Sequence, residues 1–212
     1  MTGYLKRFTG AVALSVALCG AAAADQFDDA MAAFKSGDLD RAVVLFQKLA
    51  EHNDGAAQAN LAVLYAIGQG VPQDDMNAYY WAWRSRFSGE KAAISMIKLL
   101  RERLTEEGRA EVAGRLVTDL TATAERGDLG ALTALGRVYN EVSEPSQKAE
   151  ALLWFTVAAA FEAPHAALFR EGVSQEITKQ ERLTIQARAR QLFTEWCEKL
   201  PENKLPATCK KT

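Results

Sequence analysis

The stretch that decides the fold is AQANLAVLYAIGQGVPQDDMNAYYW, residues 57–81. Its first apolar residues recur at intervals of three and four, which places them on one face of an α-helix. Gly68, Gly70 and Pro72 interrupt the pattern, and a second helical stripe begins at Ala78. The stretch therefore predicts two consecutive amphipathic helices joined by a glycine-rich turn.

The same pattern returns further along the chain. Tyr65 aligns with Tyr139 at an offset of 74 residues, and Trp81 aligns with Trp154 at an offset of 73. The repeating unit is thus four helices, or two helix pairs of about 37 residues each, within the usual range of helical repeats. Each pair has an apolar face that only a neighbouring pair can cover. We expect an all-α, right-handed superhelix (solenoid) of about five helix pairs, ten helices in all.

These residues resemble a known family. Residues 57–81 are similar to the Sel1-like repeat, a relative of the tetratricopeptide repeat, whose pattern is A-x-x-x-L-G-x-x-Y-x-x-G-x-G-V-x-x-D-x-x-x-A-x-x-W-F-x-x-A-A. The second copy, residues 131–159, keeps the Leu135-Gly136 and Trp154-Phe155 pairs but replaces the glycine loop by residues 140–144. The resemblance implies an adaptor or regulator. Exported bacterial members include partners of sensor kinases, flagellar motor components and envelope assembly factors.

The repeats divide the chain into five predicted segments. The predicted boundaries are 1–24 for a signal peptide, 25–53 for a degenerate tetratricopeptide-like helix pair, 54–126 for the first Sel1-like module, 127–200 for the second module with its capping helix, and 201–212 for a C-terminal tail. The capping helix has the T-x-x-E spacing of a capping box at Thr178 and Glu181.

The first segment has the three parts of a secretory signal. Lys6 and Arg7 precede an apolar stretch from Phe8 to Cys19, and 22–24 form an A-x-A cleavage site. The apolar stretch is shorter than the roughly 20 residues that span a bilayer. We expect export to the periplasm with no membrane span in the mature chain. Lipid anchoring at Cys19 is the alternative, and it is disfavoured because the preceding residue is not small.

Composition limits the partner class. The 212 residues are 49% hydrophobic and carry a formal net charge of −2, which excludes a disordered chain and provides no basic stripe for nucleic acid. Cleavage after residue 24 would remove two cations and no acid, and would leave a charge of −4. A protein or peptide partner is expected, with no nucleic acid.

Two cysteines remain after cleavage, Cys197 and Cys209. An even number in an exported protein indicates a disulfide. Free thiols and a redox pair are the alternatives, but the pair lacks C-x-x-C spacing. We predict a structural bridge that holds the tail on the last helix.

The sequence offers little for catalysis. The mature chain contains only His52 and His165, and neither is followed or preceded by a local nucleophile. There is no H-x-x-x-H, C-x-x-C or alternating aspartate loop for a metal, and no phosphate-binding loop at residues 68–70. The sequence predicts no catalytic residue, no cofactor, no metal and no enzyme activity.

One cluster has the composition of an interface. Residues 79–87 are rich in tyrosine, tryptophan and arginine, the types that dominate binding energy at interfaces. The second copy has Leu152, Thr156 and Ala159 in three of these positions, so the fold does not require the aromatic set. One hypothesis is an exposed docking patch, and the other is that helices within 89–124 cover the rings while the arginines are solvated. The candidate partner-binding residues are Tyr79, Tyr80, Trp83, Arg84 and Arg86.

The expected function is therefore binding. The protein would act as an interaction scaffold or regulator of an envelope complex, in signalling, motility or envelope assembly. A cell-envelope hydrolase acting on peptidoglycan or β-lactam amides is the alternative, and a polar pocket that joins a histidine to a serine would favour it. A small-ligand sensor is a third possibility, which predicts a closed apolar cavity.

Overall fold

The computed structural model describes residues 26–211. The predicted signal peptide, its cleavage site and Cys19 lie outside these residues. The described part contains ten α-helices and no strand, as the periodicity predicts. It divides into two compact units, one up to Leu100 and one from Arg101 onward, which are described in turn. The repeat boundaries remain sequence predictions.

The first unit consists of short helices, most of which begin at an aspartate. Residues 26–36 form α1, and Asp38, Asp54 and Asp74 cap the next three helices by accepting a hydrogen bond from a backbone N–H of the first turn. The following helices of this unit are α2 (Leu39–Glu51), α3 (Gly55–Ile67) and α4 (Asp75–Phe87), and α5 (Ala93–Arg103) begins before its end.

Consecutive helices pack on each other in this unit. α3 packs on both α2 and α4, and the core between them contains fully buried Phe46, Leu61 and Leu64. The turn after α3 depends on glycine, because Gly70 has φ 72° and an added Cβ would lie 2.7 Å from the carbonyl oxygen of Leu39. The glycine-rich turn that the sequence predicts therefore has a steric cause.

The second unit repeats this arrangement. Its elements are α6 (Glu106–Glu125), α7 (Gly130–Arg137), a π-helical turn (Val138–Val142), α8 (Lys148–Ala160), α9 (Ala166–Ser174), α10 (Lys179–Lys199) and two short 3-10 helices (Glu202–Lys204 and Ala207–Lys211). α7 packs on α6 and α8, and α8 packs in turn on α9 and α10. Helices that follow one another thus pack on each other from α6 to α9, while α10 packs back on α8.

The helix bounds agree with the repeat offset. α4 and α8 each have 13 residues, and both their first and last residues are 73 positions apart. α6 and α10 begin 73 positions apart, after the N-cap residues Thr105 and Thr178. Tyr65 and Tyr139 are both partly buried, and Leu61 and Leu135 are both fully buried. These findings confirm the prediction of an all-α fold built from consecutively packed helices.

The loop that lacks the glycines is held in another way. Glu144, which precedes a cis proline, forms ion pairs of 2.7 Å with both Arg101 and Arg109. Arg109 also donates to the carbonyl oxygen of Leu104. The second copy therefore fixes its turn with a charged cluster where the first uses left-handed glycines.

The C-terminal tail is tied to α10. Cys197 and Cys209 form a disulfide with their Cα atoms 5.4 Å apart, which confirms the predicted bridge. The capping box at the start of α10 is also present, since Thr178 and Glu181 each bond the other's backbone N–H. Within residues 26–211, none of the helices combines the length and apolarity that a membrane crossing requires.

Candidate functional site

The structure contradicts the exposed docking patch predicted on α4. Tyr79 is 1% exposed, Tyr80 3%, Trp83 7% and Arg84 8%, while Arg86 is half-buried. Aromatic rings that pack together in the core remove more apolar surface from water than rings scattered over the surface, and the rings of α4 are packed in the core. Four of the five residues therefore cannot present a docking surface, and that hypothesis is wrong.

Arg84 has a structural task instead. Its Nη1 donates to the Tyr80 hydroxyl at 3.0 Å, and its Nη2 donates to Oδ1 of Asn53 at 2.5 Å. Asn53 has φ 64° in the turn between α2 and α3. A buried guanidinium is stable only when its donors are satisfied, and here it secures that turn. The alternative that the arginines are merely solvated is wrong for Arg84.

Trp83 and Phe87 form the end of this aromatic cluster. Their ring centroids are 5.6 Å apart, and Tyr79 contacts Trp83 edge to face at 6.1 Å. The rings thus pack on one another along one face of α4, one turn apart. Their positions in the second copy are 156 and 160, where the sequence has threonine and alanine.

A groove lies at those two positions of the second unit. It has a volume of about 440 Å³, opens to solvent on one side and is formed by α8 and α10. This size is within the range of ligand-binding pockets. Its lining residues are Thr156, Ala160, Gln186, Ala189, Arg190, Phe193 and Thr194.

The groove lies where the second copy has smaller residues on α8 than the first has on α4. Thr156 and Ala160 occupy the positions where α4 has the contacting rings of Trp83 and Phe87. Two small side chains one turn apart leave a space along α8 that two rings would occupy. The two aligned copies carry this signal as the replacement of two rings by threonine and alanine, whereas residue composition indicates the helix that holds the large residues.

The α10 wall of the groove is also particular to the second copy. Gln186, Arg190 and Thr194 are exposed and follow one another at intervals of four, on one helix face. In α6 the corresponding residues are Ala113, Val117 and Thr121. Two aliphatic residues of the first copy, Ala113 and Val117, are thus replaced by polar ones in the second, while the threonine is kept.

Among residues 26–211, Arg190 is the only charged residue that lines the groove. The nearby acids on both walls bond elsewhere: Glu150 pairs with Arg188 at 2.9 Å, and Glu195 accepts from Gln191 at 2.9 Å. The hydroxyl of Thr156 donates to its own helix, to the carbonyl oxygen of Leu152 at 2.7 Å. The polar groups that remain for a ligand are the guanidinium of Arg190, which can only donate, and the amide of Gln186, which can donate or accept.

The walls of the groove are held by aromatic contacts. The ring of Phe193 lies 4.6 Å from that of Phe161, and Trp154 of α8 meets Trp196 of α10 edge to face at 6.1 Å. Cys197, four residues after Phe193, carries the disulfide. These contacts fix α10 against α8 before any ligand arrives, which lowers the cost of ordering on binding.

Each of the two histidines lies at the end of a helix. His52 caps the end of α2, where its Nδ1 donates to the carbonyl oxygen of Lys48 at 2.7 Å. His165 is exposed and has φ 61° at the start of α9. Neither ring makes a hydrogen bond to a serine among residues 26–211, and in that range no three metal-ligating side chains gather.

Comparison with known proteins finds similarity among the solved structures. No protein-family model matches the chain. No curated protein matches it significantly either. One similar structure is that of c5321, described as a protective antigen present in uropathogenic Escherichia coli strains and displaying an SLR fold, with 19% identity and a TM-score of 0.33. The match covers 81% of this chain but 43% of the antigen, so the chain spans less than half of that protein's length.

Proposed function

We propose that this chain is a protein-interaction module that holds a segment of a partner protein in the α8–α10 groove. The observation that carries the proposal is an apolar groove of about 440 Å³ that lies open along two packed helices. Peptide ligands commonly use such grooves, inserting a few apolar side chains while the rest stays solvated.

We further propose that the module works in the periplasm. Support comes from the Cys197–Cys209 disulfide, because such bonds persist in oxidising compartments. The leader-like composition of residues 1–24 points the same way. In this setting the chain would act as a scaffold or regulator of an envelope complex, in signalling, motility or envelope assembly.

The other candidate functions have less support. A small-ligand sensor would need an enclosed cavity, whereas this groove is open on one side. A hydrolase acting on peptidoglycan or β-lactam amides would need a base beside a nucleophile, and His52 is engaged with its own helix. Binding of a protein segment therefore uses the observed geometry best.

Site-specific photocrosslinking in the native cells tests the proposal. Thr194→p-benzoylphenylalanine places the crosslinker on the groove edge, and Val44→p-benzoylphenylalanine is the control on α2, where the side chain is 67% exposed. We expect Thr194 to give a reproducible protein adduct that mass spectrometry identifies and that Val44 does not give. The adduct should disappear when Thr156→Trp fills the groove. No adduct at Thr194, or one that persists in the filled variant, would contradict the proposal.

A further inference from the structure

We propose that the groove selects a peptide in which a large apolar side chain, preferably aromatic, adjoins a carboxylate, and that Arg190 binds this carboxylate. This inference rests on the proposed function, because it names the chemistry of the segment that the groove would hold. It follows from what the second copy has lost relative to the first and from the charge on the α10 wall.

The apolar preference follows from the missing rings. α4 supplies Trp83 and Phe87 from its own sequence, and α8 has Thr156 and Ala160 at the same places. The remaining floor consists of Ala189 and Phe193, so a ring from outside would stack on Phe193 and be covered by small side chains. A partner protein would thus supply the aromatic ring that α4 supplies from its own sequence.

The carboxylate preference follows from Arg190. The guanidinium has no ion-pair or hydrogen-bond partner among residues 26–211, and no acidic residue lines the groove. Guanidinium groups bind carboxylates through two parallel hydrogen bonds, which fixes orientation as well as affinity. The amide of Gln186, one turn earlier on the same face, adds a second donor. Both groups replace aliphatic residues of α6, so this positive edge belongs to the second copy alone.

A peptide fits these features better than a fatty acid does. The groove is open along one side, and Gln186, Arg190 and Thr194 all lie exposed along its edge. A long acyl chain lying there would leave many methylene groups in water, which forfeits the burial that drives its binding. A peptide inserts one side chain and keeps its polar backbone at the wet edge. The occupant is therefore a protein segment.

Fluorescence anisotropy with two peptides tests this chemistry on the purified, oxidised chain. The probes are fluorescein-labelled Gly-Ser-Ala-Phe-Glu-Ala-Gly-Ser and the same peptide with Gln in place of Glu. We expect the Glu peptide to bind about tenfold more tightly, as a charge-assisted hydrogen bond provides. Arg190→Gln should remove this difference, while Lys179→Gln, an exposed cation of the same helix away from the groove, should preserve it. Thr156→Trp should abolish binding of both peptides, with thermal melts to show that each variant is folded.

The other outcomes separate this inference from the proposed function. Equal binding of the two peptides, unaffected by Arg190→Gln, would overturn the role of Arg190 but leave peptide binding in place. Binding of palmitate without binding of either peptide, up to about 1 mM protein, would overturn both the inference and the proposed function. Binding of none of these probes would overturn the inference, and the photocrosslinking result would then decide the function separately.

Discussion

Helices α4 and α8 stand at equivalent places in the two sequence copies and differ mainly in what one face carries. Both have 13 residues and bury the first alanine of their A-x-x-W pattern completely, Ala78 in one and Ala151 in the other. Yet α4 has buried Trp83 where α8 has Thr156 at the groove. The shared residues maintain the helix pair, and the differing ones decide whether the surface is closed or open.

This difference explains why the composition of α4 was misleading. Tyrosine, tryptophan and arginine are enriched at interfaces because they combine large apolar area with polar ends, and the same property suits a tight core. In α4 the polar ends of Tyr80 and Arg84 are satisfied internally, by each other and by Asn53, while Nε1 of Trp83 is buried without a hydrogen-bond partner. The candidate site is therefore the groove beside α8, and not the buried aromatic cluster of α4.

The largest expected effect comes from exchanging the two residues that differ most. Trp83→Thr removes a 7% exposed ring that contacts Tyr79 and Phe87, and it should lower the free energy of unfolding by about 4 kcal/mol. The reverse exchange, Thr156→Trp, should change stability by less than about 1 kcal/mol, because the ring enters existing space. Urea unfolding followed by circular dichroism measures both. Equal destabilisation by the two exchanges would mean that the groove is not available space.

A second, smaller effect concerns a compensating pair. Ala62 and Ala82 of the first copy correspond to Gly136 and Phe155 of the second. A Cβ on Gly136 would lie 2.5 Å from the Phe155 ring, so Gly136→Ala should destabilise the protein by about 2 kcal/mol. Thermal and urea unfolding measure the change.

Gly114→Ala provides the matched control, because that helical glycine has nothing within 4 Å of an added Cβ. This variant should stabilise α6 by up to about 1 kcal/mol through helix propensity. In the double variant Gly136→Ala/Phe155→Ala, the cost of the added methyl group should vanish, since the ring it meets is gone. Persistence of that cost would place the strain elsewhere.

The smallest expected effect concerns the N-cap of α10 in comparison with the N-cap of α6. Thr178→Ala removes the capping hydroxyl of α10 and should cost about 1 kcal/mol. Hydrogen bonds from the Thr178 side chain and then from its backbone lower the pKa of Glu181. The variant should therefore raise the pKa of Glu181 towards its usual value, as an NMR titration of the side chain would measure.

The sign of the pH dependence follows from that direction. Because the pKa of Glu181 is lower in the folded state, its contribution to stability is present above the unfolded pKa and is lost as the pH falls through the folded one. Thr178→Ala should reduce this acid dependence. Thr105→Ala in α6 is the comparison: its N3 residue is Gly108, and the pKa of Glu107 is lowered first by its own backbone N–H and only then by the Thr105 side chain, so this variant should reduce the acid dependence less. Identical pH profiles for the two variants would argue against the capping box as the cause.

Local patterns predicted most of the fold. Helix period, aspartate and threonine caps, and the even cysteine count act through neighbouring residues, so the helices and the Cys197–Cys209 bridge could be read from the sequence. Burial of Tyr79 and Trp83 depends on tertiary packing, which the helix period alone does not determine. The groove has no motif of its own, and only the substitution of Thr156 for the equivalent Trp83 pointed to it.

The bridge in the tail has a practical consequence for anyone who prepares this protein. Cys197 is one turn beyond Phe193 on α10, so the bond anchors the end of the helix that forms one groove wall. A chain made in a reducing cytoplasm would lack that staple, and its last turns would fray more easily. Recombinant protein should be oxidised before binding is measured, because a reduced sample would give too low an affinity for the groove.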